Sequence, residues 1–309
     1  MKNKIVFLGT PKFAKIILEK LILSRHKPVL VITSPDKPVG RKQKLTPPPV
    51  KVLAERKKIP VLQPEKLDEE FINKLRDNSY DLFVTAAYGK LLPKKLLDIP
   101  RHGTLNVHPS LLPKWRGSSP VQYSILNGDK ETGSTIMLLD EKLDHGPILA
   151  QERLEIKKSN TAPILSDKLA KHGAELLTRT IPKWLNGKIE PKEQDHGAAS
   201  YTKMLTRSDG KIDWTMPAGS LERKLMALTP WPGLFTFWND KRLKILSFDV
   251  KNKRSSQPGK VIRENRSLAV ETGRGIILIK KIQLEGEKPK SSAEFMRGHP
   301  DIIGTLLGT

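Results

Sequence analysis

Over its first half the chain alternates between short apolar runs and stretches whose apolar residues recur at helical spacing. Ile5–Leu8 is a four-residue apolar run ended by Gly9, which reads as a buried strand. Phe13, Ile16, Ile17 and Leu21, with Leu23 near the end, predict the first helix. Val29–Thr33 reads as a second strand and Leu82–Thr85 as a later one, with helical patterns over Val50–Lys58 and Leu67–Arg76 between them. Strand–helix–strand order implies parallel pairing, and so an α/β, doubly wound, Rossmann-like sheet. Strand patterns recur at Gly103–His108, Ser134–Leu139 and Ile148–Ile156. A long amphipathic helix is predicted from Ala162 to Trp184, through Leu165, Leu169, Leu176, Leu177 and Ile181.

The rhythm then changes. Gly187, Pro191, Gly197 and the polar run Lys192–Asp195 carry no apolar period and read as a linker or irregular crossover. Beyond Arg207 one helix, Leu221–Leu228, precedes short strand patterns at Phe235–Trp238, Leu243–Val250, Lys260–Arg263, Leu268–Glu271 and Ile276–Leu284. Turns at Asn239–Asp240, Pro258–Gly259 and Thr272–Gly273 separate them, the layout of a small β-barrel of oligonucleotide-binding (OB) type. The organisation expected is a domain over residues 1–188, a linker over 189–206 and an OB-like barrel over 207–309.

Composition narrows the class. No apolar run approaches the roughly 20 residues that cross a bilayer, and the four-residue stretch near Met1 is too short for a signal peptide. There is no cysteine among the 309 residues, which removes disulfides, thiolate catalysis and Cys-ligated zinc together. A cytoplasmic bacterial protein without a membrane partner is the simplest expectation. The 55 basic against 33 acidic residues give +22, spread over both halves, and an excess of this size favours a polyanionic partner.

One segment concentrates that charge. Ser34–Leu53 holds Lys37, Arg41, Lys42, Lys44 and Lys51 against the single acid Asp36, with Pro35, Pro38, Gly40 and Pro47–Pro49 interspersed. It follows the second strand, near the sheet edge where α/β folds place ligands. A solvated loop and a phosphate-contacting arm are both compatible with it. Gly9-Thr10-Pro11 lacks the later glycines of a dinucleotide fingerprint, and no His pair sits four apart on a helix, so neither NAD nor a protease-type zinc site is expected.

The richest chemistry lies in Asn106-Val107-His108-Pro109-Ser110-Leu111-Leu112-Pro113-Lys114-Trp115-Arg116-Gly117. Strand alternation puts Asn106 and His108 on one face and Val107 on the other. An amide and an imidazole side by side at a strand end can polarise a carbonyl and handle a proton; hydrogen bonding in a strand-end turn is the other reading. Asp144, before His145-Gly146-Pro147, is either a turn former or a carboxylate in reach of His108.

Asn106, His108, Ser110–Pro113, Arg116-Gly117 and Asp144, in this order and at these separations, resemble the core of the 10-formyltetrahydrofolate-dependent formyltransferases. Phe7–Pro11, Thr46–Lys51, Asp209–Trp214, Pro230–Gly233 and Glu285–Lys288 extend the resemblance over nearly the whole chain, to the members acting on initiator methionyl-tRNA. The resemblance implies a formyl-transferring enzyme that uses 10-formyltetrahydrofolate and no metal, and works as a monomer. Asn106 would donate to the formyl oxygen as it gains charge, His108 would assist proton movement, and Asp144 would position His108. Ser110, Leu111, Leu112 and Pro113, with Tyr88, Gly89, Leu91, Leu139 and Asp140, would line the folate pocket. Arg41, Lys42, Lys203 and Arg207 would contact tRNA. A formyltransferase for a nucleotide-sugar or another small amine, and a formyltetrahydrofolate hydrolase, share the catalytic set and remain alternatives at this point.

Overall fold

A computed structural model of the chain describes residues 3–40 and 42–308. In chain order the first elements are β1 (Ile5–Gly9), α1 (Lys12–Leu23), β2 (Leu30–Ile32), β3 (Lys37–Val39), β4 (Lys44–Thr46), α2 (Pro49–Arg56), β5 (Val61–Leu62), α3 (Glu69–Arg76) and β6 (Leu82–Ala86). They continue with α4 (Lys94–Leu97), β7 (Thr104–His108), β8 (Arg116–Gly117), α5 (Pro120–Asn127), β9 (Glu131–Leu138), β10 (Ile148–Glu155), α6 (Ala162–Leu185) and β11 (Tyr201–Thr202). The chain divides into two compact units: Met1–Pro120, Lys130–Ile156 and Ile164–Lys203 in the first, Val121–Asp129, Lys157–Pro163 and Met204–Thr309 in the second.

The first unit is built on a seven-stranded sheet of order β10-β9-β7-β6-β1-β2-β5. Five strands, β5 through β7 in that order, are parallel. Every residue of β1, β6 and β7 is buried, as expected for parallel strands covered on both faces. The chain winds from β1 out to β5 and returns to β6 beside β1, so the order reverses between β1 and β6. At one side the sheet continues with antiparallel strands: β9 runs antiparallel to β7, and β10 antiparallel to β9. For β10 the reason is the connection: only a turn separates Leu138 from Ile148, too short for a parallel crossover of a dozen residues or more.

Packing fixes which side of β7 faces the site. One face of the sheet, with Val6, Leu8, Leu30, Ile32 and Phe83, packs on Phe71, Ile72 and Leu75 of α3. At β7, Val107 lies under α6: a Cβ on Gly173 would stand 2.7 Å from its Cγ1, so only glycine allows that approach. The Ser134 hydroxyl donates to the carbonyl of Leu169 on the same helix. Asn106 and His108 therefore project to the opposite side, as alternation predicts.

The basic segment is not an irregular loop. β3 and β4 form an antiparallel hairpin, and Lys37–Gly40 and Lys42–Pro47 are exposed throughout. Arg41 lies outside the described residues. Nor is the polar stretch after α6 a free tether. Ile148 and Lys192 exchange backbone hydrogen bonds, and β11 pairs parallel with β8.

In the second unit α7 (Ala218–Leu228) precedes β12 (Leu234–Trp238), β13 (Lys241–Lys251), β14 (Val261–Glu264), β15 (Ser267–Glu271), β16 (Ile276–Leu284), β17 (Lys290–Ser291) and α8 (Ser292–Gly298). The sheet is antiparallel, of order β12-β13-β16-β15-β14, with β17 on β16. Its end strands are bridged by the last residues of the chain. Gly304 N–H donates to Val261 O and Leu307 N–H to Gly259 O, while Gly308 N–H donates to Phe237 O. That segment lacks an alternating pattern, so periodicity gives no sign of it. No helix among the described residues is long and apolar enough to cross a membrane.

Candidate active site

Asn106 and His108 end β7, two residues and so about 7 Å apart along the strand, paired with Met137 and Thr135 of β9. Pro109 ends the strand because it has no N–H to continue the ladder. The chain then loops back over β9, held by the buried hydroxyl of Thr135, which donates to Ser110 O at 2.6 Å and accepts from Leu112 N–H. Gln151 of β10 adds a bond from Nε2 to Leu112 O at 2.9 Å. The Ser110 hydroxyl is consumed inside the loop, donating to Lys114 O at 2.5 Å. Ser110 and Leu112 are buried, so these two side chains shape the loop from within.

His108 has two groups standing against it, one from this loop and one from the turn after β9. Its Nε2 stands 3.0 Å from Trp115 O and its Nδ1 3.5 Å from Asp144 Oδ1. Asp144 Oδ2 accepts from Gly117 N–H at 2.7 Å. Both ring nitrogens thus face acceptors. Asn106 is buried, and its amide has no hydrogen-bond partner among the described residues. A buried amide is rarely left unpaired, so its N–H groups are available to an oxygen of a bound substrate.

Two backbones at this corner are held in the left-handed region that ordinary residues avoid, Trp115 at φ 62° and Asp144 at φ 47°. Gly117 has φ 109°, and a Cβ there would meet Thr202 O at 2.6 Å. The turn carrying Asp144 is fastened from several directions. Asp140 Oδ2 accepts from His145 Nδ1 at 2.6 Å, and its Oδ1 from Lys142 N–H. His145 stacks on His196 with ring centroids 3.9 Å apart and planes 6° off parallel. Asp140, read from sequence as a folate contact, thus spends its carboxylate on the turn.

The remaining residues named from sequence are dispersed. The Tyr88 ring packs in the core with Leu8, Ile32 and Phe71, and burial pushes its hydroxyl up to about 12. Its backbone carbonyl accepts from the Thr10 hydroxyl at 3.3 Å. Gly89 and Leu91 are exposed beyond the end of β6, and Leu139 N–H donates to Thr104 O. Lys42, Lys203 and Arg207 are exposed, Lys203 in the first unit and Arg207 in the second. Gln151, Gln194 and His196 were not singled out by the sequence; of the three only Gln194 is buried, and nothing marks a polar residue in an aperiodic stretch as buried. Among the described residues no cluster of three or more His, Cys, Asp or Glu could hold a metal ion.

A Rossmann-like sheet ending in a buried Asn–His pair with an Asp against the imidazole defines an acyl-group transferase, and the chain belongs to the formyl transferase family. It matches that family over residues 3–181 and the formyl transferase C-terminal domain over residues 204–300. It is an enzyme with formyltransferase activity. It is 42% identical to the methionyl-tRNA formyltransferase of Geobacter sulfurreducens, over 99% of this chain and 96% of that protein. With the methionyl-tRNA formyltransferase of Bacillus velezensis it shares 43% identity, over 99% and 98%. Among solved structures it resembles an N-formyltransferase from Helicobacter canadensis in complex with folinic acid and dTDP-3-aminofucose. The TM-score is 0.67 at 20% identity, covering 90% of this chain and 99% of that one. HypX from Aquifex aeolicus in complex with tetrahydrofolic acid gives 0.62 at 16% identity, over 96% of this chain and 47% of that one.

Proposed function

We propose that the enzyme transfers the formyl group of 10-formyltetrahydrofolate to the α-amine of methionine on initiator tRNA, in the bacterial cytoplasm, for translation initiation. What carries this reading is the meeting of Asn106, His108 and Asp144 at one corner of a chain that is similar, end to end, to methionyl-tRNA formyltransferases. A nucleotide-sugar acceptor, or water, would leave the exposed basic hairpin and the +22 charge without a task. In this reading the enzyme works as a monomer.

The free Asn106 amide fits a carbonyl-type oxygen, and the folate, when bound, supplies the formyl group. An α-amine titrates near 7.7–8.0, so a useful fraction is neutral at pH 7 and needs little activation. The demanding step is charge development. Asn106 donates to the oxygen that becomes negative, a contribution typically of about 2.7–4 kcal/mol. The amine nitrogen bonds to the formyl carbon, and the bond from that carbon to the folate nitrogen breaks. His108 assists movement of the amine proton to the departing nitrogen, its ring held by Trp115 O at Nε2 and by the Asp144 carboxylate beside Nδ1. Proton transfer of this kind contributes about 10²–10⁴-fold, so the two residues carry comparable shares. The loop Ser110–Pro113, through its half-buried Leu111 and Pro113 and with Ser110 and Leu112 shaping it from within, and the main chain near Tyr88, Gly89, Leu91, Leu139 and Asp140 form the folate pocket in this reading. Arg41 and Lys42 of the basic loop engage the acceptor stem, and the linker residues Lys203 and Arg207 with the barrel 207–309 hold the stem.

The test is incubation with formyl-labelled 10-formyltetrahydrofolate and either charged initiator tRNA, amino-sugar nucleotides or buffer alone. Label on tRNA-borne methionine is expected. Label confined to small amines or to formate overturns the reading.

A further inference from the structure

The guanidinium of Arg116 is 1% exposed and yet meets no carboxylate among the described residues. Its partners are Gln194 Oε1 at 2.7 and 3.2 Å, Tyr201 Oη at 3.2 Å and His196 Nδ1 at 2.9 Å. Buried charges are ordinarily paired with opposite charge. If position 194 served Arg116 alone, a glutamate would serve it better, through a charge-assisted bidentate pair. The other end of the same side chain explains the amide. Gln194 Nε2 donates to Asp144 O at 3.0 Å and to Gly146 O at 2.7 Å. Arginine has no acceptor and a carbonyl has no donor, so these partners fix which way the amide points. Gln194 itself is 5% exposed.

We infer that Gln194 is a positioning residue for Asp144: anchored on buried Arg116, it clamps the two carbonyls that flank His145 and holds the left-handed turn that aims the Asp144 carboxylate at His108. The clamp acts from the backbone side, while Gly117 N–H fixes the carboxylate itself, so Arg116 and its neighbour grip both ends of one residue. The inference rests on the role given to Asp144 above.

Gln194→Glu separates the two jobs. It keeps an acceptor for Arg116 and adds an ion pair, but replaces both donors with oxygens facing carbonyl oxygens. The expected result is a melting temperature equal to or above that of the parent, with kcat down by about 10–100-fold, the scale of a misplacement near 1 Å. KM for folate and for charged tRNA should stay within about twofold. The limb of the kcat–pH profile set by the His108–Asp144 pair should move. Gln194→Asn, one methylene too short to span both ends, should lose kcat in the same way, and it serves if the first variant does not melt cooperatively. Unchanged kcat and pH profile in the folded variant overturn the inference. So does a fall in activity that only tracks a lost folded fraction, with the pH profile unmoved. Asp144→Asn measured alongside separates the levels. Full activity there overturns the role of Asp144, whereas an inactive Asp144→Asn beside a fully active Gln194→Glu overturns only the clamp.

Discussion

The corner around His108 and the β3–β4 hairpin belong to the same unit and leave the same sheet, yet they are built in opposite ways. At the corner His108 and Asp144 are buried and held by named bonds, only the Asn106 amide is left open among the described residues, and two non-glycine residues are kept in the left-handed region by their surroundings. Along the hairpin the side chains stand in solvent, and the only ladder is three residues long on each side. Its order comes from its base. Asp36 accepts from Lys51 Nζ at 2.9 and 3.0 Å and from Gln63 Nε2 at 2.8 Å, and Gln63 also donates to Ser34 O. The lesson concerns what each part has to recognise. An oxygen that gains charge for an instant needs donors placed in advance, where water cannot relax around it. A polyphosphate backbone needs mobile charge at the surface, where counterions are released.

Substitutions at the corner test that contrast most strongly. Asn106→Ala, His108→Ala and Asp144→Asn should each lower the single-turnover rate by about 10²–10⁴-fold. Filter binding should find tRNA affinity within about twofold of the parent. A corner variant that loses tRNA binding along with its rate would blur the division between the two regions.

The same glycine-to-alanine change should behave differently in the two places. At Gly117 a Cβ meets Thr202 O at 2.6 Å and disturbs the N–H that holds Asp144, so both stability and kcat should fall, kcat by about 10-fold. At Gly40, φ 74°, a Cβ meets no described atom within 4 Å, so only backbone strain of about 1–2 kcal/mol remains. Thermal melts and kcat on the two variants decide whether the corner is the stiffer site.

Hairpin variants should act through affinity. Lys42→Ala should weaken charged-tRNA binding and reduce its salt slope by about one unit, with kcat at saturating tRNA unchanged. Asp36→Asn should raise the tRNA KM a few-fold. The hydrogen bond from Gln63, and then that from Lys51, holds the Asp36 carboxyl below its ordinary range. A carboxylate with a depressed folded pKa supports the base fully above its unfolded value, near 3.9, and loses that support as pH falls through the lower folded one. The parent hairpin base should therefore stay protected from trypsin at neutral pH and loosen only in strong acid, while the Asn variant lacks that acid transition.

The smallest effect is expected at Tyr88→Phe. The hydroxyl is buried with no partner among the described residues, so its removal should leave kinetics unchanged and hold or raise the melting temperature. Because burial raises its pKa to about 12, the parent should lose stability from about pH 10 upward as the unfolded tyrosine ionises first, a loss that Tyr88→Phe should lack. A marked loss of folate affinity in this variant would return the Tyr88 side chain to the pocket.

Much of the fold is written in local spacing. Ile5–Leu8 and Leu82–Thr85 announce their strands as short continuous runs, as fits strands covered on both faces, and Asn106-Val107-His108 by side-chain direction that repeats every two residues. Helix α6 is equally plain, since its apolar stripe recurs over twenty-four residues. Alternation also places Asn106 and His108 on one face, and the burial of Val107 under α6 agrees with it. Tertiary structure alone decides the rest. Asp144 reaches His108 only because β9 turns back antiparallel beside β7, and a turn of nine residues between β9 and β10 carries the carboxylate to the strand end. Gln194 looks like any polar residue in an aperiodic stretch until the chain after α6 folds back on β8 and buries it against Arg116. Residues Gly304 to Gly308 carry no periodic pattern, yet they bridge β14 and β12. The physical reason is common to all three: periodicity reports the geometry of one segment of backbone, whereas these contacts are hydrogen bonds between segments distant in sequence, whose partners exist only once the sheet order is set.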